Sequence, residues 1–266
     1  MNKSWIYKQT DLNVAQFDKA METYYPESRA FIHDPREHVA RICDQCNYLD
    51  AIKLIDWKAY IRHDCSIMDL GCGGGWLSGY LSKSESVSVI YALDSSKHYL
   101  FELMPQVVKF MEGRQEKIVP IEGLFMPLLF QDGFLDIVVA SSVLHHADSL
   151  DGVLKEIRRT LKKDGLLFVL NETPSSRFGH MFLLAKAVIK IFFNVLLRNY
   201  KPISQSVSSS GYLYDPYLGD RDYPLWYWKK AIERSGFSII EYVDTRLPTM
   251  KKGKGTRLVH LICKAV

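Results

Sequence analysis

A chain of 266 residues, 47% of them hydrophobic, can bury one sizeable core with an added element, rather than two full domains. A formal charge of +4 is too mild for an extended nucleic-acid footprint, which needs cations massed on one face. The opening MNKSWIYKQTDLN lacks the apolar stretch of a secretory leader, and five cysteines, an odd number, fit a reducing compartment, so a cytoplasmic protein is expected.

Residues 1–62 read as a helical N-terminal segment. Cys43 and Cys46 form a C-x-x-C there, with His38 nearby. A zinc site would need a second ligand pair at matching spacing; none is apparent, so two buried thiols and no metal are expected. The run Ser66-Ile-Met-Asp-Leu-Gly-Cys-Gly-Gly-Gly-Trp-Leu77 follows. It reads as a buried strand ending at Asp69, a turn with Gly71, Gly73 and Gly75 at alternate positions, and a helix start. Glycines let a backbone approach a ligand closely, and the first helical turn offers N–H groups to it. A dinucleotide fingerprint would place its third glycine one residue later, where Trp76 stands, and an acid before the loop would repel a pyrophosphate. The same acid suits a ligand carrying an ammonium group.

Strand-like and helix-like segments then alternate, the pattern of a parallel sheet covered by helices. Val87 to Leu93 is a strand ending in Asp94; Ser95 and Ser96 can cap the next helix, which Pro105 breaks or kinks. Lys117 to Ile121 is a third strand, opening onto Glu122 and Gly123, and Phe134 to Ala140 a fourth. Asp136, an acid inside that apolar strand, is expected to pair structurally. Asp148 or Ser149 caps an amphipathic helix with Leu150, Val153, Leu154, Ile157 and Leu161 on one face, ended by Lys162-Lys163-Asp164-Gly165. Leu166 to Leu170 is a fifth strand leading to Asn171 and Glu172. The rhythm then stops over 173–223, an insertion. It resumes with a helix over Leu225 to Ser235 and strands over Gly236 to Val243 and Arg257 to Lys264. Residues 63–172 thus form the ligand-binding half of one α/β domain, which 224–266 complete.

In order, Asp69-x-Gly71-x-Gly73-x-Gly75, Asp94, Glu122-Gly123, Asp132-Gly-Phe-Leu-Asp136, Ser141-Ser-Val-Leu-His-His146 and Glu156-Ile-Arg-Arg-Thr-Leu161 resemble the stations of class I S-adenosylmethionine-dependent methyltransferases of the small-molecule, type 11 kind. The resemblance covers roughly 64–172 well and 224–265 loosely. It implies a doubly wound, seven-stranded Rossmann-like sheet, mostly parallel with the last strand antiparallel. It implies S-adenosylmethionine as cofactor, held by Asp69, the three glycines, Asp94 and Ser95 (ribose side), Glu122 and Gly123 (adenine side) and Ser141. The reaction implied is in-line methyl transfer, in which the protein chiefly aligns donor and acceptor. A hydroxyl acceptor must also lose a proton; His146 is the first candidate base, with His145 and Glu172 beside it. Helix capping is the plainer reading of either histidine.

For the acceptor, residues 212–228 interleave aromatics with acids. They suit a glycan-type, polyhydroxylated acceptor, or they pack as a core that seats the insertion; a lipid-linked acceptor is the expectation that the helix over 181–198 adds. Tyr24, Tyr25 and Arg29 are candidates for the opposite wall. Residues 181–198 form an apolar helix with Lys186, Lys190, Asn194 and Arg198 at four-residue intervals. Three readings stand: a lid, a homodimer contact, or an interfacial helix on a membrane. The basic run Lys251-Lys252-Gly-Lys254 suits an anionic surface or a solvated loop. Nucleic acid is disfavoured, because no N/D-P-P-Y/F tetrapeptide follows the fourth strand. The alternatives to O-methylation are transfer to carbon or nitrogen, as in quinone or amine metabolism, and a cofactor-binding relative without turnover.

Overall fold

The computed structural model describes residues 3–4, 29–196, 206–207, 213–214, 219–253 and 256–266. Seven long strands form the sheet: β1 (Cys65–Leu70), β2 (Val87–Asp94), β3 (Ile118–Glu122), β4 (Leu135–Ser141), β5 (Leu161–Glu172), β6 (Phe237–Pro248) and β7 (Arg257–Ala265). Their spatial order is β3-β2-β1-β4-β5-β7-β6. Strand β7 runs antiparallel to both neighbours, and the other pairs are parallel. The order reverses between β1 and β4, which opens a crevice at the carboxyl ends of those two strands.

Side chains alternate across each strand, and helices cover both faces, so the strands read as nearly continuous apolar runs. Ile67, Ile137, Val139 and Phe168 join one core, with helices α2 (Trp76–Ser82) and α3 (Met104–Phe110) and the N-terminal segment. Met68, Val138, Ala140 and Val169 join the other, with α4 (Leu150–Thr160) and α6 (Leu225–Arg234). The missing N–H of Pro105 is accommodated by wide turns over His98–Leu103 just ahead of it. Ser149 caps α4 by accepting the Gly152 N–H at 3.2 Å. Leu161 leaves the helix and pairs with Leu135, so β5 starts earlier than expected, and an irregularity with Asp164 at φ 65° absorbs the charged run.

The N-terminal segment is not wholly helical. Lys3–Ser4 pair in parallel with Ile121 and Glu122, because β3 is the edge and its backbone groups accept an extended partner. Short helices follow, including α1 (Pro35–Ala40), and Trp57 stacks on Phe168 at 5.0 Å, so this segment belongs to the core. His38 lies against the glycine loop, where a Cβ on Gly74 would come 2.5 Å from its Nε2. Burial brings its pKa to about 4, so it is neutral. The two thiols diverge: Cys43 Sγ lies 3.8 Å from Met111 Sδ and Cys46 Sγ 3.4 Å from Met250 Sδ.

A bridge between Ser175 and Pro224 closes the base of the insertion. Inside it lie α5 (Arg177–Leu196) and a small sheet of Ser206–Val207, Leu213–Tyr214 and Arg221–Asp222. Of the aromatic run, Tyr223, Tyr227 and Trp228 pack together at the core, Tyr223 stacking on Tyr227 at 4.9 Å and meeting Trp228 edge-on at 5.8 Å, while Trp226 is exposed. Lys251 is likewise occupied, 2.9 Å from Asp50. Tyr24, Tyr25, Arg198, Lys254 and the side chains of Arg29, Lys190 and Asn194 lie outside the described residues.

Two acids carried by the strands prove structural. Asp136 accepts from Ser66 N and Oγ at 3.0 and 2.6 Å and pairs with Lys162 at 2.7 Å, as its setting in an apolar strand suggested. Asp69, expected to face the ligand, is instead committed to α2, where it accepts from Ser78 Oγ at 2.7 Å. Burial pushes its pKa from 3.8 up to about 7 against that hydrogen bond. The folded state therefore binds this proton more tightly than the unfolded state. The resulting stabilisation is complete below pH 3.8 and is lost as pH rises to about 7. Asp69→Asn is expected to flatten the fall of Tm over that window, measured by calorimetry across pH; parallel wild-type and variant profiles would refute the linkage.

Candidate active site

Every element that ends at the carboxyl rim of the sheet contributes to one depression. After β1 the chain turns through Gly71 (φ 67°) and Gly73 (φ 50°), backbone conformations that favour glycine. The two glycines differ in purpose. A Cβ on Gly71 would stand 2.2 Å from Val143 Cγ2, so this glycine lets the loop after β4 close against the loop after β1. A Cβ on Gly73 would meet nothing within 4 Å; this glycine fronts open space. Gly75 (φ 75°) starts α2, with Met104 packed over it.

The turn is held from β2. Asp94 Oδ2 accepts the Gly73 N–H at 2.8 Å, while Oδ1 accepts that of Ser96 at 2.9 Å. One carboxylate thus fixes the glycine loop and the start of the next helical stretch. Across β2 and β3, Asp94 is the direct partner of Glu122, and the Gly123 N–H donates to the Asp94 carbonyl at 2.9 Å. Glu122 is buried with Lys97 3.7 Å away, so one cation faces a pair of neighbouring acids. Ser95 lies between Asp94 and the Ser96 cap.

On the other side of the crevice, Ser141 Oγ accepts from Asn171 Nδ2 at 3.0 Å, joining the ends of β4 and β5. Ser142 and Asn171 both take positive φ, 52° and 55°, rare for residues with a Cβ and costing of order 1–3 kcal/mol each. Tyr48 reaches in from the N-terminal segment, its hydroxyl 3.3 Å from Ser142 Oγ.

Glu172, a candidate base, is fully engaged instead. It is buried; Oε1 accepts the N–H groups of Val143 and Leu144 at 3.1 and 3.2 Å, and Oε2 lies 2.9 Å from His145 Nδ1. With three donors around it, this carboxylate organises the loop and orients His145. Burial by itself would lower the His145 pKa, but Glu172 and Asp220 raise it above the ordinary histidine value. Its Nδ1 is thereby committed to Glu172.

His146 is different. Its Nδ1 lies 2.8 Å from Asp220 Oδ1, and the two imidazole rings are 4.3 Å apart. Burial pushes the Asp220 carboxyl up, yet His146, His145 and Arg221 together hold it below its ordinary value. Arg221 secures the contact, donating to the His146 carbonyl at 3.1 Å and pairing with Asp148 at 2.8 Å. Among the described residues, His145, His146 and Asp220 are also the grouping whose ligand atoms approach within 4.8 Å, the spacing a metal ion would need, whereas the C-x-x-C offers none. Asp220 and Arg221 belong to the run 212–228 expected to serve the acceptor, but their contacts with His146 were not legible, and no local motif marks Tyr48; they meet the rim only through the returning insertion and the N-terminal segment.

Residues 68–169 match the family model described as a methyltransferase domain. A sterol 24-C-methyltransferase of Gibberella zeae is 26% identical over 198 residues, covering 70% of this chain and 48% of the relative. A ubiquinone biosynthesis O-methyltransferase of Pelagibacter ubique is 28% identical over 112 residues, covering 41% of this chain and 44% of the relative. The chain therefore spans less than half the length of these two relatives. Among solved structures, a SAM-dependent methyltransferase of Aquifex aeolicus superposes with a TM-score of 0.52 at 14% identity, covering 95% of this chain and 98% of that one, a likeness of fold. With the glycine turn, the Asp94 clamp and the strand order already described, residues 68–169 are a methyltransferase domain of the class I, S-adenosylmethionine-dependent family.

Proposed function

We propose that this chain transfers a methyl group from S-adenosylmethionine to an oxygen of a small acceptor of glycan-type or lipid-linked character. The observation that carries the reading is the His146–Asp220 contact at 2.8 Å on the loop packed against Gly71. The residues present fit the cofactor. Open space fronts Gly73, where a substituent would otherwise intrude, and the Asp94 and Glu122 carboxylates flank it as acceptors for hydroxyl and amino groups. When bound, the sulfonium supplies an already activated methyl group, so the protein's tasks are alignment and removal of the acceptor's proton.

His146 does the second task. Asp220 occupies its Nδ1 side, so the hydroxyl proton is taken at Nε2 as the new O–CH3 bond forms, and the Asp220 carboxylate stabilises the imidazolium that results. His145, held through Nδ1 by Glu172, stands beside His146 at the rim, 4.3 Å away ring to ring. Relatives named for sterol and ubiquinone chemistry support an acceptor with an apolar portion. Transfer to carbon is the second reading, supported by the sterol 24-C-methyltransferase among them. Incubation with methyl-labelled donor and a panel of lipid-linked glycans, quinols and sterols, followed by NMR of the product, distinguishes these. An O–CH3 signal supports the proposal, a C–CH3 or N–CH3 signal overturns the oxygen assignment, and donor binding without turnover overturns catalysis.

Two substitutions separate binding from chemistry. Gly73→Ala is expected to keep Tm within the shift caused by ~1–2 kcal/mol of positive-φ strain, yet to weaken S-adenosylhomocysteine binding at least tenfold by calorimetry. Gly71→Ala, which collides with Val143, should lower Tm by a larger margin. Undiminished affinity in Gly73→Ala would reject the cradle. His146→Gln should reduce kcat by roughly 10²–10⁴-fold with S-adenosylhomocysteine affinity retained. Asp220→Asn should lower kcat by a smaller factor and leave the acceptor KM unchanged. A His146→Gln enzyme of wild-type kcat would rule out the base.

A further inference from the structure

Helix α5 carries the largest concentration of exposed apolar side chains among the described residues. Met181, Phe182, Ile189, Phe192, Phe193 and Leu196 are each 52–71% exposed. At 100° per residue these six fall within an arc of about 120°, and the equally exposed Val188 and Val195 widen it to about 160°, so they form one broad stripe along the helix. Single exposed hydrophobics are ordinary, but a continuous stripe with several large rings marks a surface that is covered by something.

Its chemistry selects the partner. Residues 177–196 contain no acid, while Lys186 is exposed at the margin of the stripe. Among the described residues no helix is long and apolar enough to cross a membrane, and Lys186 and Lys190 near the middle of α5 would be costly inside a bilayer. A second copy packed antiparallel through the same stripe would bring the lysine-bearing flanks together with no acid on the helix to neutralise them. An anionic lipid surface has neither difficulty. It takes the rings into the acyl boundary and offers phosphates to the flanking cation.

We infer that α5 lies flat on an anionic lipid surface, apolar stripe inward, and holds the mouth of the site at the bilayer. The insertion makes the link through the connectivity of the chain. It leaves the sheet just after Glu172, which orients His145, carries α5, and returns through Asp220 and Arg221, which touch His146. The docking itself does not depend on methyl transfer; it deepens the proposed function by presenting lipid-linked acceptors where those two histidines lie.

The test is vesicle flotation of the full chain on phosphatidylcholine with and without phosphatidylserine, beside a triple variant, Ile189→Ser, Phe192→Ser and Phe193→Ser. Calorimetric binding of S-adenosylhomocysteine reports whether the variant keeps its fold. The wild type should float with the phosphatidylserine vesicles and lose most of that binding in high salt. The triple variant should float at least about tenfold less with cofactor-product affinity intact. Lys186→Glu should weaken binding to the anionic vesicles alone. Wild-type protein left unbound by both vesicles overturns the inference, and so does flotation equal on the two compositions. So too does a concentration-dependent dimer, seen by sedimentation, that the triple variant abolishes. Loss of vesicle binding with methyl transfer retained would leave the proposed reaction standing; docking without methyl transfer would do the reverse.

Discussion

The buried carboxylate of Glu172 is the contact on which the catalytic side of the rim depends. A carboxylate withdrawn from water costs several kcal/mol unless its lone pairs are met, and here two backbone N–H groups and one imidazole meet them. Those donors all come from the loop after β4, so the cost of burial becomes a constraint on that loop. The end of β5 dictates where Val143 stands, and Val143 in turn fills the space that Gly71 leaves. Remove the acid and three donors lose their common acceptor.

The same economy recurs on the cofactor side. Asp94 satisfies one N–H of the glycine turn and one at the start of the following helical stretch, fixing both with a single side chain. Between the two clamps lies the crevice produced by the reversal of strand order, and the positive φ of Ser142 and Asn171 is tolerated because each sits in a network that over-determines it. One wall is therefore acidic and suited to hydroxyls and amino groups, while the other carries two imidazoles.

The insertion joins chemistry to surface. Its base is tied at the Ser175–Pro224 bridge and its returning strand delivers Asp220 to His146, so the element that exposes α5 is also the one that completes the histidine pair. An exposed apolar helix and a partly buried acid that meets His146 thus belong to one insertion.

What the sequence determined by itself is local: the strands β1 to β5, whose apolar runs have no other use; the turn through Gly71, Gly73 and Gly75; the amphipathic α4; and the acids at strand ends. Each of these is written within a few neighbouring residues, as a period or a conformational requirement, and a family resemblance can be read from them in order. Only the tertiary structure decided what those groups face. Asp69 and Asp94 both close apolar strands, yet one is turned into α2 while the other holds the glycine loop. Glu172 was a candidate base and is consumed by the loop after β4. Asp220 and Tyr48 gained their places through segments that close over long stretches of chain, and the edge pairing of Lys3–Ser4 arose in the same way. A side chain's partners depend on which distant surfaces packing brings within a few ångströms, and no periodicity along the chain encodes that distance.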